Sequence, residues 1–152
     1  MLEVGGNIID AVSIAVKAAL ASTRIPKLSV THVDGGEPEI EIVDSVGSAG
    51  YDVVDVSSAP IIVTLARIGN HCIVDPSPEE EQCSIASVLV SVSPSGHIST
   101  VRKLGVGSFH ASTVMSAISL ASQVGVEIHE ALSNKIKQEE ALGKNREKIG
   151  FL

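Results

Sequence analysis

The chain has 152 residues, 44% of them hydrophobic, which is enough to form the core of one ordinary domain or of two small ones. Its net charge of −7 and its aromatic content of 2% exclude strong independent binding of RNA or DNA, because such domains present a basic face and stacking rings. No stretch reaches about 18 uninterrupted apolar residues, so no membrane span is expected.

The two cysteines, Cys72 and Cys83, match no zinc-binding spacing, and the first residues lack the basic region of a secretory signal. We therefore expect reduced thiols, as in a cytosolic or nuclear protein. Four of the five histidines are scattered over predicted loop, strand and helix, and we expect hydrogen-bonded or surface side chains there rather than metal ligands: His71, His97, His110 and His129.

The first predicted element is an almost wholly apolar helix over about residues 7–23. Asp10, Ser13 and Lys17 form its one narrow polar stripe, and alanine and aliphatic side chains cover the rest. Such a helix has to be buried on several sides, and the few residues before it supply too little surface for that. We therefore expect the chain to begin in the middle of a domain.

Gly5 and Gly6 form a tight turn before this helix, and Asn7 is a candidate N-cap. Two interpretations stay open for the turn. It could only cap the helix, or its free N–H groups and the helix dipole could bind a phosphate. No Lys, Arg, Ser or Thr follows in the first turn to complete a phosphate site.

The middle of the chain predicts short strands. Residues 27–33 and 39–43 alternate aliphatic with polar side chains on either side of the turn residues 34–38, a pattern typical of a surface hairpin. A loop rich in glycine and serine follows at residues 45–50, and residues 52–56 are a candidate edge strand.

The clearest strand signal is a hairpin in which residues 84–92 and 97–103 flank a turn, with Gly96 able to take a positive φ. Two further β-rich runs, residues 61–66 and 72–74, also flank a turn. Together these runs predict a sheet of four strands, mostly antiparallel.

An acidic segment precedes this hairpin and holds four carboxylates within seven residues: Asp75, Glu79, Glu80 and Glu81. Converging carboxylates could form an acid–base or metal site. Alternatively the segment is a turn whose acids face water and whose backbone is fixed by Pro76 and Pro78. We favour the solvated turn, because charge runs are usually solvated.

The last third predicts one long helix, or two abutting ones, over about residues 112–142, ended by Gly143. A stripe at helical spacing should pack on the sheet: Val114, Ile118, Ala121, Gly125, Ile128, Leu132 and Ile136. A charged tail, residues 144–148, and the apolar pair at residues 151 and 152 follow.

Five segments in this order together resemble the RNase PH family: GGNIIDAVSIA (5–15), TRIP (23–26), VDPSPEEE (74–81), RKLGVGS (102–108) and KIGFL (148–152). The resemblance covers nearly the whole chain, but only about the C-terminal half of a full family member. It implies an α+β, RNase PH-like fold. Residues 1–57 would be the remnant of a first domain, of the ribosomal protein S5 domain 2-like type, with a hairpin insertion. Residues 58–152 would form the second domain, a mixed sheet packed by helices, with C-terminal helices and a tail.

In active members of that family the glycine turn continues into a Thr or Ser and an Arg that bind the attacking phosphate, and an aspartate follows in the acidic segment. Here the turn continues as Asn7 and Ile8, while Asp75 is kept and Glu81 lies near the catalytic position. Phosphoryl transfer depends on electrostatic positioning, which a carboxylate alone does not supply. The resemblance therefore implies no catalytic residue, no cofactor and no metal.

The expected function is that of a non-catalytic structural subunit of the RNA exosome core ring, found in nucleus, nucleolus and cytoplasm. It would contact other RNase PH-like ring subunits and RNA-binding cap subunits and help line the RNA channel. Two alternatives stay open. One is a phosphorolytic 3′-to-5′ exoribonuclease that uses Asp75 and Glu81, with or without a divalent ion. The other is an RNA-binding module in which Arg102 and Lys103 contact backbone phosphate.

Overall fold

The computed structural model describes residues 4–31, 39–43 and 50–143. The turn predicted at residues 34–38, most of the loop at 45–50 and the tail from residue 144 lie outside the described residues. No helix in the described ranges is long and apolar enough to cross a bilayer. In chain order the elements are α1 (Ile8–Ser22), β1 (Arg24–Pro26), β2 (Leu28–Thr31), β3 (Glu39–Ile42), β4 (Tyr51–Val53), β5 (Ile61–Ile68), β6 (His71–Val74), α2 (Pro78–Cys83), β7 (Ala86–Val92), β8 (Ile98–Gly105) and α3 (Ala111–Leu142).

The chain divides into two compact units. The first contains the described residues up to Ala18 and those from Ser57 onward, and the second runs from Ala19 to Val56. These units have other bounds than the predicted domains, residues 1–57 and 58–152, and that domain assignment stays a prediction.

The centre of the first unit is a four-stranded sheet in the order β6-β5-β7-β8. Every neighbouring pair in it is antiparallel, and both predicted hairpins are confirmed. Gly96 has a φ of +80° in the turn between β7 and β8, as its position required. The register shifts between Ser91 and Val92, where a bulge interrupts the β7–β8 ladder.

Helix α3 covers the two central strands. The residues of β7 alternate strictly between buried and half-buried positions. Its three valines, Val88, Val90 and Val92, are all buried and form one cluster with Ala117 and Ala121. Small residues line the contact because the backbones approach closely. A Cβ added to Gly125 would lie 2.8 Å from Val92 Cβ. Four members of the predicted stripe pack against the sheet: Ile118, Ala121, Gly125 and Ile128. The predicted end at Gly143 is confirmed, and α3 is one continuous helix.

Helix α1 is inverted relative to an ordinary amphipathic helix. Its polar stripe faces the sheet, with Asp10 only 6% exposed, whereas Val12 and Val16 are 51% and 52% exposed. The register gives the reason. Strand β6 pairs with β5 only from Leu65 onward, so one edge of the first half of β5 has no strand partner among the described residues. Side chains of α1 bond to backbone N–H groups there, which strand pairing would otherwise satisfy.

In its described residues the second unit has two separate two-stranded sheets, β1 with β4 and β2 with β3, both antiparallel. The predicted surface hairpin is therefore confirmed as β2 and β3. The predicted edge strand begins one residue earlier and ends at Val53. Its partner β1 includes Pro26, which the sequence indicated only as the end of the first helix. Proline is tolerated in such a short edge pairing.

Candidate functional site

The glycine turn brings the start of α1 against the acidic segment. Gly6 has a φ of +92°, and a Cβ there would lie 2.4 Å from the Pro76 carbonyl oxygen, so no larger residue fits without moving the backbone. Asn7 and Asp75 also have positive φ values, of 46° and 54°. Gly6 adopts this backbone freely, whereas Asn7 and Asp75 adopt it at a local cost that the contacts between the two turns must offset.

Those contacts centre on Asn7. Its backbone N–H, one of the four N–H groups at the start of α1 without an intrahelical partner, donates to Glu81 Oε1 at 2.8 Å. Its side-chain amide donates to Asp10 Oδ2 at 3.0 Å and to Asp75 Oδ1 at 3.3 Å. Asn7 does cap the helix by position, since its carbonyl accepts from the Ala11 N–H, but its side chain bonds carboxylates instead of the helix backbone.

The carboxylate of Asp10 is buried and carries three hydrogen bonds. Besides the Asn7 amide, it accepts from the Thr64 backbone N–H at 2.7 Å and from Thr64 Oγ1 at 2.6 Å. A buried charge is tolerable only with such donors around it. Asp10 therefore joins the start of α1 to β5, and its oxygens are occupied by the protein itself.

The acidic segment continues into a short helix that the sequence analysis missed. Ser77 caps α2, its hydroxyl accepting from the Glu80 N–H at 3.4 Å, and the Glu80 carboxylate accepts from the Ser77 N–H at 2.9 Å. This is a capping box with proline at the first helical position, and the sequence Ser-Pro-Glu-Glu carried that signature. The pKa of Glu79 is lowered, mainly by a hydrogen bond from the backbone N–H of Glu79 itself and secondly by one from the Ser77 hydroxyl.

The four predicted acids thus separate into two pairs. Asp75 and Glu81 turn toward α1, while Glu79 and Glu80 lie at the start of α2. Within the described part of the chain, no three His, Cys, Asp or Glu side chains come together in a way that could hold a metal ion. All four side chains are exposed, as the favoured solvated turn requires. Asp75, Glu80 and Glu81 also accept hydrogen bonds from the chain itself.

A cleft of about 300 Å³ opens beside this turn, between the start of α1 and the β7–β8 hairpin. Among the described residues that line it, Glu81 is the one charged side chain, and no lysine, arginine or histidine takes part. Its far wall includes Leu104 and Gly105 at the end of β8.

Arg102 and Lys103, the predicted RNA contacts, are adjacent on β8 and exposed. Successive strand residues point to opposite faces of a sheet, so the two cations are not on one surface. Arg102 shares its face with Leu104 of the cleft wall, whereas Lys103 lies opposite the core residue Val88 and donates to the Gly105 carbonyl at 2.8 Å. That they contact RNA stays a prediction.

A second polar cluster lies further along α1. His129 of α3 is buried, its Nε2 lies 2.9 Å from the Val92 carbonyl oxygen, and its Nδ1 lies 3.1 Å from Lys17 Nζ. Lys17 also donates to the Ala59 carbonyl. Nδ1 therefore accepts from the ammonium while Nε2–H donates to the carbonyl. The expectation of hydrogen-bonded histidines is confirmed for His129.

Burial lowers the pKa of His129; the hydrogen bond to Val92 opposes this, and the Lys17 ammonium adds to it. Burial also lowers the pKa of Lys17. Both shifts favour the neutral form of the group concerned. The lowered pKa of His129 agrees with a neutral imidazole whose Nδ1 accepts from Lys17.

Comparison with known proteins gives three kinds of match. Residues 58–124 match the family described as 3′ exoribonuclease family, domain 2. The chain is 38% identical over 130 residues to the exosome complex component Rrp42 of Thermococcus kodakarensis, covering 86% of this chain and 45% of the relative. It is 34% identical over 140 residues to the putative exosome complex exonuclease RRP42 of Dictyostelium discoideum, covering 91% of this chain and 42% of the relative.

Among solved structures, a chain of the Archaeoglobus fulgidus exosome with RNA bound to the active site superposes with a TM-score of 0.64 at 22% identity, covering 86% of this chain and 45% of that one. A chain of an archaeal exosome core superposes with a TM-score of 0.65 at 22% identity, covering 87% of this chain and 47% of that one. These likenesses confirm the α+β fold of the RNase PH type. The chain spans a little less than half the length of the curated relatives quoted above.

Proposed function

We propose that this chain, in which residues 58–124 form a second domain of the 3′ exoribonuclease family, acts as a non-catalytic structural subunit of an RNA exosome core ring. The similarity to proteins named Rrp42 supports the ring assignment. One observation supports the absence of catalysis. The Glu81 carboxylate accepts the Asn7 N–H at the start of α1, so the position that would attract a phosphate already holds an anion.

The physical reason is competition between like charges. A phosphate at the α1 N-terminus would lie beside Glu81, and two unit charges about 4 Å apart repel by on the order of 1 to 4 kcal/mol near a protein surface. Phosphorolysis requires cations that hold and orient the attacking phosphate. The described cleft lining offers a carboxylate in place of such a cation.

The alternative is a phosphorolytic exoribonuclease in which Asp75 and Glu81 act on the substrate. The word exonuclease in the name of the Dictyostelium relative favours this alternative. Both carboxylates are hydrogen-bonded to Asn7, which weakens it, because a group that supports the fold is less available to move a proton.

As a ring subunit the chain would contact other RNase PH-like subunits and RNA-binding cap subunits, and Arg102, on the face of the cleft, would be the first cation to meet RNA in the channel. We expect a subunit with this role to act in the nucleus, including the nucleolus, and in the cytoplasm.

The test is an RNA-shortening assay with 3′-tailed RNA, inorganic phosphate and Mg²⁺, with a known phosphorolytic exonuclease run in parallel. We expect the purified chain to release no nucleoside diphosphates. Phosphate-dependent release that Asp75→Asn abolishes, with the fold of the variant intact by circular dichroism, would establish the alternative instead.

A further inference from the structure

The hairpin of β2 and β3, named the ribbon below, has one wholly aliphatic face. The register pairs Leu28 with Ile42 and Val30 with Ile40, so these four side chains lie side by side on one surface. All four are more than half exposed, at 60%, 65%, 54% and 63% in the order just given. The other face carries the pair Ser29 and Glu41.

Such a ribbon is incomplete by itself. A two-stranded hairpin is marginally stable in water, and a sheet face of this composition ordinarily lies against another apolar surface. The other two described strands of the second unit, β1 and β4, pair with each other and add no strand to the ribbon. We therefore expect another apolar surface to cover the aliphatic face of the ribbon.

The charge around the ribbon indicates what kind of partner fits. From Ala19 to Val56 the sequence holds seven acidic and two basic residues, a net charge of −5 out of the −7 of the chain. A second copy would bring another −5 against it, and a nucleic acid would bring phosphates, so like charges oppose both. A protein surface with an aliphatic centre and lysine or arginine side chains at its rim complements the ribbon in shape and charge.

We propose that the ribbon is a docking surface for a neighbouring ring subunit that presents an aliphatic patch with a basic rim. This inference rests on the proposed function, since it names the surface by which the chain joins a ring. The aliphatic side chains supply the affinity, and the acidic residues supply orientation and a dependence of the affinity on salt.

The experiment measures the apparent Kd of the 152-residue protein for the other purified subunits of its exosome core ring. The main variant is Ile40→Thr with Ile42→Thr, which keeps β-branched side chains and removes apolar contact. The matched control is Ser29→Thr, on the opposite face. A second variant on the other strand, Leu28→Thr with Val30→Thr, guards against a local folding defect of β3, and thermal melts accompany all of them.

We expect the wild type and Ser29→Thr to bind alike, both double variants to bind about tenfold more weakly or worse with unchanged melting of the folded protein, and the wild-type Kd to rise with sodium chloride. Double variants that bind as the wild type does would refute the docking surface and leave the proposed function standing. Self-association that either double variant abolishes would identify a second copy as the occupant. A wild type that binds no ring subunit would refute the proposed function and this inference together.

Discussion

The backbone N–H of Asn7 lies 2.8 Å from the Glu81 carboxylate, so helix α1 begins on an anion that the chain itself supplies. The carboxylate stabilises the helix start through the same dipole that would otherwise favour an external anion such as phosphate.

Removal of that anion should weaken the fold. We expect Glu81→Ala to lower the free energy of unfolding by about 1 kcal/mol, because one N–H at the α1 start loses its acceptor and the dipole loses a favourable charge. Urea denaturation measures the change. Gln82→Ala, at the neighbouring exposed position, is the control. Equal stability of the wild type and Glu81→Ala would mean that the 2.8 Å contact contributes nothing to the fold.

The contact between α3 and β7 should not tolerate a methyl group. Gly125→Ala would place its Cβ 2.8 Å from Val92 Cβ, and overpacking of this kind costs roughly 1 to 3 kcal/mol despite the better helix propensity of alanine. Gln123→Ala, on the exposed face of α3, should leave stability nearly unchanged. If Gly125→Ala melts at or above the wild-type temperature, the close approach of α3 and β7 is wrong.

Stability should fall on acidification because of His129. Its pKa is lowered in the folded protein, so below its ordinary value of about 6.5 the unfolded chain binds more protons than the folded one. The stability that depends on a neutral His129 is complete above a pH of about 6.5 and is lost as the pH falls toward the pKa of His129 in the folded protein. Denaturation curves at pH 7.5, 6.5 and 5.5 measure it, and His129→Gln, which does not titrate, should flatten the dependence over this range. A variant with the wild-type slope would place its origin in other groups.

Much of this arrangement could be predicted from the sequence. The hairpins, the four-stranded sheet, the α3 stripe and its end at Gly143 follow from local patterns, because strand alternation, turn glycines and helical spacing act over few residues. The orientation of α1 could not be predicted, since the polar stripe of Asp10, Ser13 and Lys17 is as compatible with water as with a strand edge. Only the register, which leaves Ile62 and Thr64 facing α1 and not β6, decides between them.

The site was predictable to a similar degree. Through its resemblance to a family, the sequence indicated that Asn7 lies in the phosphate turn of that family and that Asp75 and Glu81 lie in its acidic segment. It did not indicate that Glu81 bonds the Asn7 N–H, because the two residues are 74 positions apart and meet only when the Gly6 turn packs on Pro76. The capping box of Ser77 and Glu80, by contrast, is a local signal that sequence reading could have found.

The two predicted RNA contacts should differ in effect. Arg102 lies on the cleft face of the sheet and Lys103 on the other face, bonded to Gly105. In an assembled ring we expect Arg102→Ala to weaken single-stranded RNA binding and to reduce the slope of log K against log salt by about 0.7, the value for one phosphate contact. Lys103→Ala should have little effect on either quantity. The reverse order would place the RNA on the α3 face, and no change in either variant would exclude both residues as contacts.

The exposed aliphatic face of α1 should make the isolated chain associate. Ile9, Val12 and Val16 are 40%, 51% and 52% exposed, and with Ile62 and Pro60 they line an apolar groove between α1 and β5. At roughly 25 cal/mol per Å² of apolar surface, leaving such a face in water forgoes several kcal/mol of stabilisation. We therefore expect the 152-residue protein to elute from size-exclusion chromatography as concentration-dependent oligomers and to melt broadly. Val12→Ser with Val16→Ser should shift it toward a monomer, whereas Ser119→Thr on the exposed face of α3 should not. A sharp two-state melt and a clean monomer from the wild type would show that the α1 face is stable in water without a partner.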